Sequence, residues 1–379
     1  MQATTKTPLS DDLKRLVGQP VSAIDTPALV VDLDAMQRNL SRMADFARKH
    51  DMRWRPHAKM HKSSALARLQ MQAGAVGVCV QKTSEAEALA AQGIADIYIS
   101  NEVIAADRLA RVAALARNVR LSIAVDSALG IERLAAALRG AGSRADVFVE
   151  IDVGQGRCGV APAAAGALAQ QVVSHGLPFA GLQAYHGRAQ HLRGAAEREA
   201  AIRHAVTLAR TAQATITAAG IACPLVTGAG TGTFVHEAAS GVYGELQAGS
   251  YLFMDRDYAD NDPTPGAPRF EHALFVKSQV MSRGHSHAVV DAGHKSHAID
   301  SGLPRVWERD LEFANGGDEH GILRARGDAL PALGDTVWLV PGHCDPTVNL
   351  HDHYVVVKGG LARGVVDAVW TVDARGCLA

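Results

Sequence analysis

Short β-rich runs alternate with helical periods across the first two-thirds of the chain, and no other feature restricts the fold as much. ALVVDL (28–33) precedes a helix opened by Asp34, with Met36, Leu40, Met43 and Phe46 on one stripe. MRWRPH (52–57), VGVCV (76–80), DIYIS (96–100), VRLSIAV (119–125), DVFVEIDV (146–153), PFAGLQAYH (178–186), CPLVTG (223–228) and GELQAG (244–249) follow. Helices rich in Ala, Leu and Arg lie between them; Leu129, Ile131, Leu134 and Leu138 share one face behind Ser127 as a cap. Strand, crossover helix and strand, repeated this often, require a parallel sheet with helices outside it. An open doubly wound sheet and a closed (β/α)8 barrel both satisfy the pattern. No strand is followed by a GxGxxG turn, which favours the barrel. The nine candidate strands are one more than a barrel uses, and the first, starting at Pro27, is free to belong elsewhere.

The texture changes after about residue 265. HALFVKSQVMS, HAVVDAG, DTVWLVP, HYVVVKG and GVVDAVWTV, separated by Gly, Pro and Asp turns, predict a smaller antiparallel β domain. The expected division is a barrel over 25–262, with 1–24 and 263–379 forming the β domain, joined through the polar DRDYADNDPTPGAPR (255–269). A formal net charge of -1 argues against a nucleic-acid binder, which shows a basic face. The uncharged stretch Cys158 to Ser174 is broken by Pro162 and too polar to span a membrane. No secretory leader is visible, and the 5 cysteines form no CxxC, so a reduced, cytoplasmic setting is expected.

Three segments could carry chemistry. In RPHAKMHKS (55–63), an extended backbone aims Arg55, His57 and Lys59 the same way. Lys59 then falls at the carboxyl end of a barrel strand, where desolvation would lower its pKa toward a nucleophilic amine fit for a Schiff base. A basic strand end that snorkels to solvent is the alternative. TGAGTGT (227–233) can cradle an anion on consecutive backbone N–H groups, or be an ordinary glycine-rich turn. In PGHCDPT (341–347), an extended strand would put His343 and Asp345 on one side, as half of a divalent metal site, and Cys344 on the other. His351 and His353 of HDH are a rival pair. Position alone adds Gln81 and Thr83, Arg157 in VGQGRCG, and Tyr185, His186 and His191 in YHGRAQH.

Taken in order along the chain, RPHAKMHKS, QKTSEAE, VGQGRCG, YHGRAQ, GTGT, ELQAGSY and PGHCDPT resemble a fold-type III pyridoxal phosphate enzyme related to alanine racemase. Within that group the chain resembles the D-threonine aldolase and D-serine dehydratase branch, from about residue 24 to its C-terminus. The resemblance implies a homodimer of barrel-plus-β-domain protomers, with pyridoxal 5'-phosphate on Lys59 rather than Lys62. It assigns phosphate contacts to Gly230, Thr231, Gly232, Gly249 and Ser250, with Tyr251 completing that shell. Gln81 and Tyr185 would lie near the cofactor ring, and Arg157 near its phenolic oxygen. Gln247 stands where alanine racemases place an arginine against the pyridine nitrogen. Dehydratases of this branch show His-x-Cys, which suits zinc, whereas His343-x-Asp345 shifts preference to Mn2+ first, then Mg2+ or Co2+. The implied activity is metal-dependent cleavage of D-threonine and related D-3-hydroxy amino acids to glycine and an aldehyde, with His191, or else His186, as base. A dehydratase on the same scaffold, an amino-acid racemase and a noncatalytic cofactor carrier are the alternatives.

Overall fold

A computed structural model describes residues 10–379. Eight short strands pair in parallel: β2 (Arg53–Trp54), β3 (Val78–Val80), β4 (Asp96–Ile99), β5 (Arg120–Val125), β6 (Asp146–Glu150), β7 (Phe179–Gln183), β8 (Val226–Gly228) and β9 (Glu245–Leu246). Each pairs with its sequence neighbour from β3 to β9, and β9 pairs with β2. The β2–β9 ladder runs on through Arg55 N–H to Leu246 (2.9 Å) and His57 N–H to Gln247 (3.1 Å). A bridge between His57 and Cys79 then closes the ring. The result is the expected (β/α)8 barrel. Tyr98, Phe148, Cys79 and Ala124 pack together in one buried cluster. Buried Arg55 satisfies its charge on Asp96 (2.5 Å) and Glu245 (3.3 Å), because an unpaired interior guanidinium would be expensive.

The strand counted as surplus does lie outside the barrel. β1 (Ala28–Asp32), placed within 25–262 from the sequence, joins a nine-stranded sheet instead. It pairs antiparallel with β10 (Leu274–Arg283) and parallel with β16 (His353–Lys358). β10 also carries β11 (Ala288–Val290) and β15 (Thr336–Val340), and β16 carries β17 (Val365–Thr371). Three strands were unread in the sequence: β12 (Arg305–Val306), β13 (Leu311–Asn315) and β14 (Gly321–Ala325). Apart from β1 with β16, every pairing in this sheet is antiparallel. The described part of the N-terminal segment lies on this domain, through Gly18 N–H to Val366 (2.8 Å) and Val21 N–H to Gly364 (3.0 Å).

Helix Leu33–Lys49 starts one residue before the expected opening at Asp34, because Asp32 caps it by accepting from the Ala35 amide (3.1 Å). Its buried stripe, including Met36 and Met43, belongs to one cluster with Leu252 and Phe253 of the barrel unit and Leu274 and Val356 of the β domain. Fully burying such side chains contributes about 1.5–3 kcal/mol each, so this shared core clamps the two units together. Ser127 caps helix Ala128–Ala141 as expected, but Leu129 is 48% exposed, and only Ile131, Leu134 and Leu138 face inward. Among the described residues no helix is long and apolar enough to cross a membrane.

Candidate active site

The carboxyl ends of the barrel strands open into a cavity of about 600 Å3. Lys59 follows β2, Gln81 follows β3, Asn101 follows β4, Arg157 follows β6, Tyr185 follows β7, Gly230 and Thr231 follow β8, and Gly249 and Ser250 follow β9; all line it. His343 and Asp345 reach the same cavity from beyond β15. The cavity thus brings together Lys59 and Asp345, which are 286 positions apart in the chain.

Lys59 sits in a 3-10 turn, Ala58–Met60, rather than on a strand. The turn breaks the expected alternation: Arg55 is buried on Asp96 and Glu245, while His57 and Lys59 line the cavity. The Lys59 ammonium contacts Asp345 Oδ2 at 2.5 Å. Burial pulls its pKa down, but the Asp345 carboxylate outweighs burial and holds it above the ordinary lysine value. The expected lowering by desolvation is thus reversed. Lys62, the rival lysine, is buried away from the cavity on Glu85 Oε1 (2.8 Å) and the Ala374 carbonyl (3.3 Å). His57, missed as a site residue, is kept well below the ordinary histidine pKa by burial and then by the Lys59 charge. Its Nε2 meets Gln81 at 2.9 Å and Ser100 at 3.3 Å.

The amides of Gly230, Thr231, Gly249 and Ser250 donate to no group among the described residues, and they border the cavity. A Cβ on Gly249 would lie 2.7 Å from the His57 carbonyl, and one on Gly230 would lie 2.5 Å from Gln190 Oε1. Bare backbone at both turns is what a phosphate cradle requires. Gly232 departs from its expected role: its amide is taken by Gln190 Oε1 (3.0 Å). Tyr251 does too, since its side chain is fully buried against Trp54 and accepts from Gln70 (3.0 Å). Only its amide reaches the cradle, donating to Thr231 Oγ1 (2.9 Å). Gln247 lines the cavity with its side chain held by Gln183 and Thr227, each at 2.8 Å. The Arg157 guanidinium lies 5.9 Å over the Tyr185 ring.

PGHCDPT is not an extended strand. His343 stands at the extended N-cap position of the short helix Cys344–Val348, with no side-chain capping bond, and the first turn of that helix carries Asp345. The two side chains still converge, with His343 Nε2 3.7 Å from Asp345 Oδ1, while buried Cys344 donates its amide to Asp255 (2.9 Å). Asp345 Oδ1 is buried without a partner. An imidazole nitrogen and an orphaned carboxylate oxygen turned toward each other are donors of the kind a divalent cation takes. Asp300 takes His343 Nδ1 at 2.7 Å, the outer-shell contact that fixes a metal-binding imidazole. No third His, Cys, Asp or Glu joins a cluster among the described residues, so other oxygens must complete the shell. His351 lies elsewhere, on the Ser296 carbonyl (2.7 Å), and neither it nor His353 lines the cavity.

Of the two candidate bases, His191 lines the cavity and His186 does not. His186 is buried with Nδ1 unpartnered, behind Gly154. His191 Nδ1 contacts Asp257 Oδ2 at 2.5 Å, and Arg193 holds the other carboxylate oxygen at 2.5 Å. Burial pushes the Asp257 carboxyl up, but His191 and Arg193 outweigh it and bring it down to about 2. Tyr258 lies beside the His191 ring (centroids 5.7 Å apart) and also lines the cavity. Asp257 and Tyr258 carry no motif of their own; only the carboxylate-rich DRDYADND run could have flagged them.

Residues 31–257 match the alanine racemase N-terminal domain family, and residues 273–357 match the putative serine dehydratase domain. The chain is 46% identical to a D-threonine aldolase from Arthrobacter over 95% of each chain. It is 42% identical to a 3-hydroxy-D-aspartate aldolase from Paracoccus denitrificans over 96% of each. The crystal structure of a D-threonine aldolase from Filomicrobium marinum superposes with a TM-score of 0.94 at 47% identity, covering 96% of this chain and 99% of that one. The chain belongs to the fold-type III pyridoxal phosphate enzymes related to alanine racemase, in the D-threonine aldolase and D-serine dehydratase branch.

Proposed function

We propose that the chain is a pyridoxal phosphate- and divalent-metal-dependent lyase that cleaves D-threonine and related D-3-hydroxy amino acids to glycine and an aldehyde, acting as a homodimer. The observation that carries this reading is the buried, unpartnered Asp345 Oδ1 facing His343 Nε2 in the cavity that also holds Lys59 and His191. When bound, the cofactor supplies a sink for the electron pair released at Cα, and the metal supplies Lewis acidity at the substrate's 3-hydroxyl.

The chain's own residues do the rest. Lys59 is the amine for covalent attachment, and the Gly230, Thr231, Gly249 and Ser250 amides bind the phosphate. His343 and Asp345 would hold the ion; with one nitrogen and one hard oxygen ligand, Mn2+ suits the pair, ahead of Mg2+ or Co2+. Asp257 engages His191 Nδ1, which leaves Nε2 to take the 3-hydroxyl proton. Loss of that proton makes C3 the carbonyl carbon of the leaving aldehyde as the Cα–Cβ bond breaks. Cα then gains a proton to give glycine.

Incubation of the purified protein with D-threonine, pyridoxal phosphate and Mn2+ tests the reading. Acetaldehyde and glycine are expected. Formation of 2-oxobutanoate and ammonia would make the chain a dehydratase, in which the α proton is removed and the hydroxyl leaves.

A further inference from the structure

Arg188 and His191 are the two ends of one 3-10 turn, Arg188–His191. Residues three apart on such a turn eclipse each other. Their burial agrees: Ala189 and Gln190 between them are fully buried, while Arg188 and His191 are exposed and both line the cavity. The turn is pinned at both ends, by the Gly187 amide on Gln155 Oε1 (2.7 Å) and by Asn261 Nδ2 on the Gln190 carbonyl (2.9 Å). Arg188 is therefore presented beside the base on a fixed piece of backbone.

The charges lining the cavity are unbalanced. Lys59, Lys82, Arg157 and Arg188 are cationic, and Asp345 is the one carboxylate, already paired with Lys59. Arg188 makes no hydrogen bond or ion pair among the described residues. An uncompensated guanidinium in a concave site marks the place of an anionic ligand group, and its planar fork suits a carboxylate.

We infer that Arg188 selects substrates whose C3 substituent is itself a carboxylate, a 3-hydroxy dicarboxylic amino acid. This rests on the aldolase reading, because it uses His191 as the base at the 3-hydroxyl. The group beside that base is the one carried by C3, so Arg188 faces the substituent that leaves with the aldehyde. Cleavage of D-3-hydroxyaspartate then balances as glycine plus glyoxylate, with the hydroxyl proton passing to His191 and a proton delivered to Cα.

The test compares kcat/KM for D-3-hydroxyaspartate and D-threonine in the holoenzyme and in Arg188→Leu and Arg188→Lys. A charge-assisted contact predicts that the ratio of the two values falls about tenfold or more in Arg188→Leu, with partial recovery in Arg188→Lys. A ratio within about threefold of wild type would overturn the assignment while leaving the aldolase reading intact. An equal fall for both substrates would place the guanidinium on the α-carboxylate, and would overturn it too. Failure of the wild-type holoenzyme to release glycine from either substrate would remove the aldolase reading itself.

Discussion

Asp257 engages the His191 imidazole whereas Asp345 faces Lys59 and the proposed ion position, and substitution separates their roles. Asp257→Asn keeps the shape but offers His191 an amide in place of a carboxylate, so the tautomer with Nε2 free loses its support. A fall in kcat of about 30-fold or more is expected, with KM and melting temperature near wild type. A proportional loss of folded protein would instead make Asp257 structural. Asp345→Ala should lose metal-dependent cleavage yet keep the visible absorbance of bound cofactor; loss of that absorbance would mean that Asp345 serves Lys59 rather than an ion. Lys59, His343, Asp345 and Gly230 stand in short motifs that the sequence itself offers as candidates, whereas Gly249, and Lys59 over Lys62, came only from the family resemblance. Asp257 and Tyr258 were not legible, since one carboxylate among 39 acidic residues gains a role only when the fold brings it to an imidazole. The Lys59 shift was misread for the same reason: burial was foreseeable, the Asp345 contact was not.

At the scale of elements, the turn after β8 is braced from behind. Gln190 holds the Gly232 amide, Thr233 accepts from Gln190 (2.8 Å), and Thr233 donates to Glu237 (2.8 Å) in helix Phe234–Ala238. Burial pushes the Glu237 carboxyl up to about 7, against the Thr233 bond that lowers it, and its Oε2 is unpartnered. Between the ordinary glutamate range and about pH 7 the folded chain holds this proton more tightly than the unfolded one. Stability therefore falls as pH rises through that window. Glu237→Gln should raise the melting temperature relative to wild type at pH 8 but not at pH 5; equal effects at both pH values would contradict the buried proton. The strand–helix alternation was plain in the sequence because each element buries a full face. β12 to β14 were missed because β12 is two residues long and β13 and β14 are short, charge-bearing runs, although burial does alternate along the latter two. Of PGHCDPT, read as extended through Asp345, His343 is extended, but a helix starts at Cys344, whose amide donates to Asp255.

At the scale of the whole molecule, the two sheets share one hydrophobic cluster at their junction, beside separate clusters in the barrel and on the β domain, and both units contribute residues to the cavity. β1 and helix Leu33–Lys49 belong to that shared core, so barrel and β domain should unfold in a single transition. Far-UV and near-UV circular dichroism would check this, and two separated transitions would contradict it. The same arrangement explains how residues 343 and 345 come to face Lys59: segment Asp255–Tyr258 takes the Pro341 and Gly342 carbonyls and the Cys344 amide on one side, and holds His191 through Asp257 on the other. The most direct measurement is borohydride reduction of the cofactor-loaded protein, followed by mass mapping of its peptides. The pyridoxyl label is expected on Lys59; a label on Lys62, or none, would contradict the site.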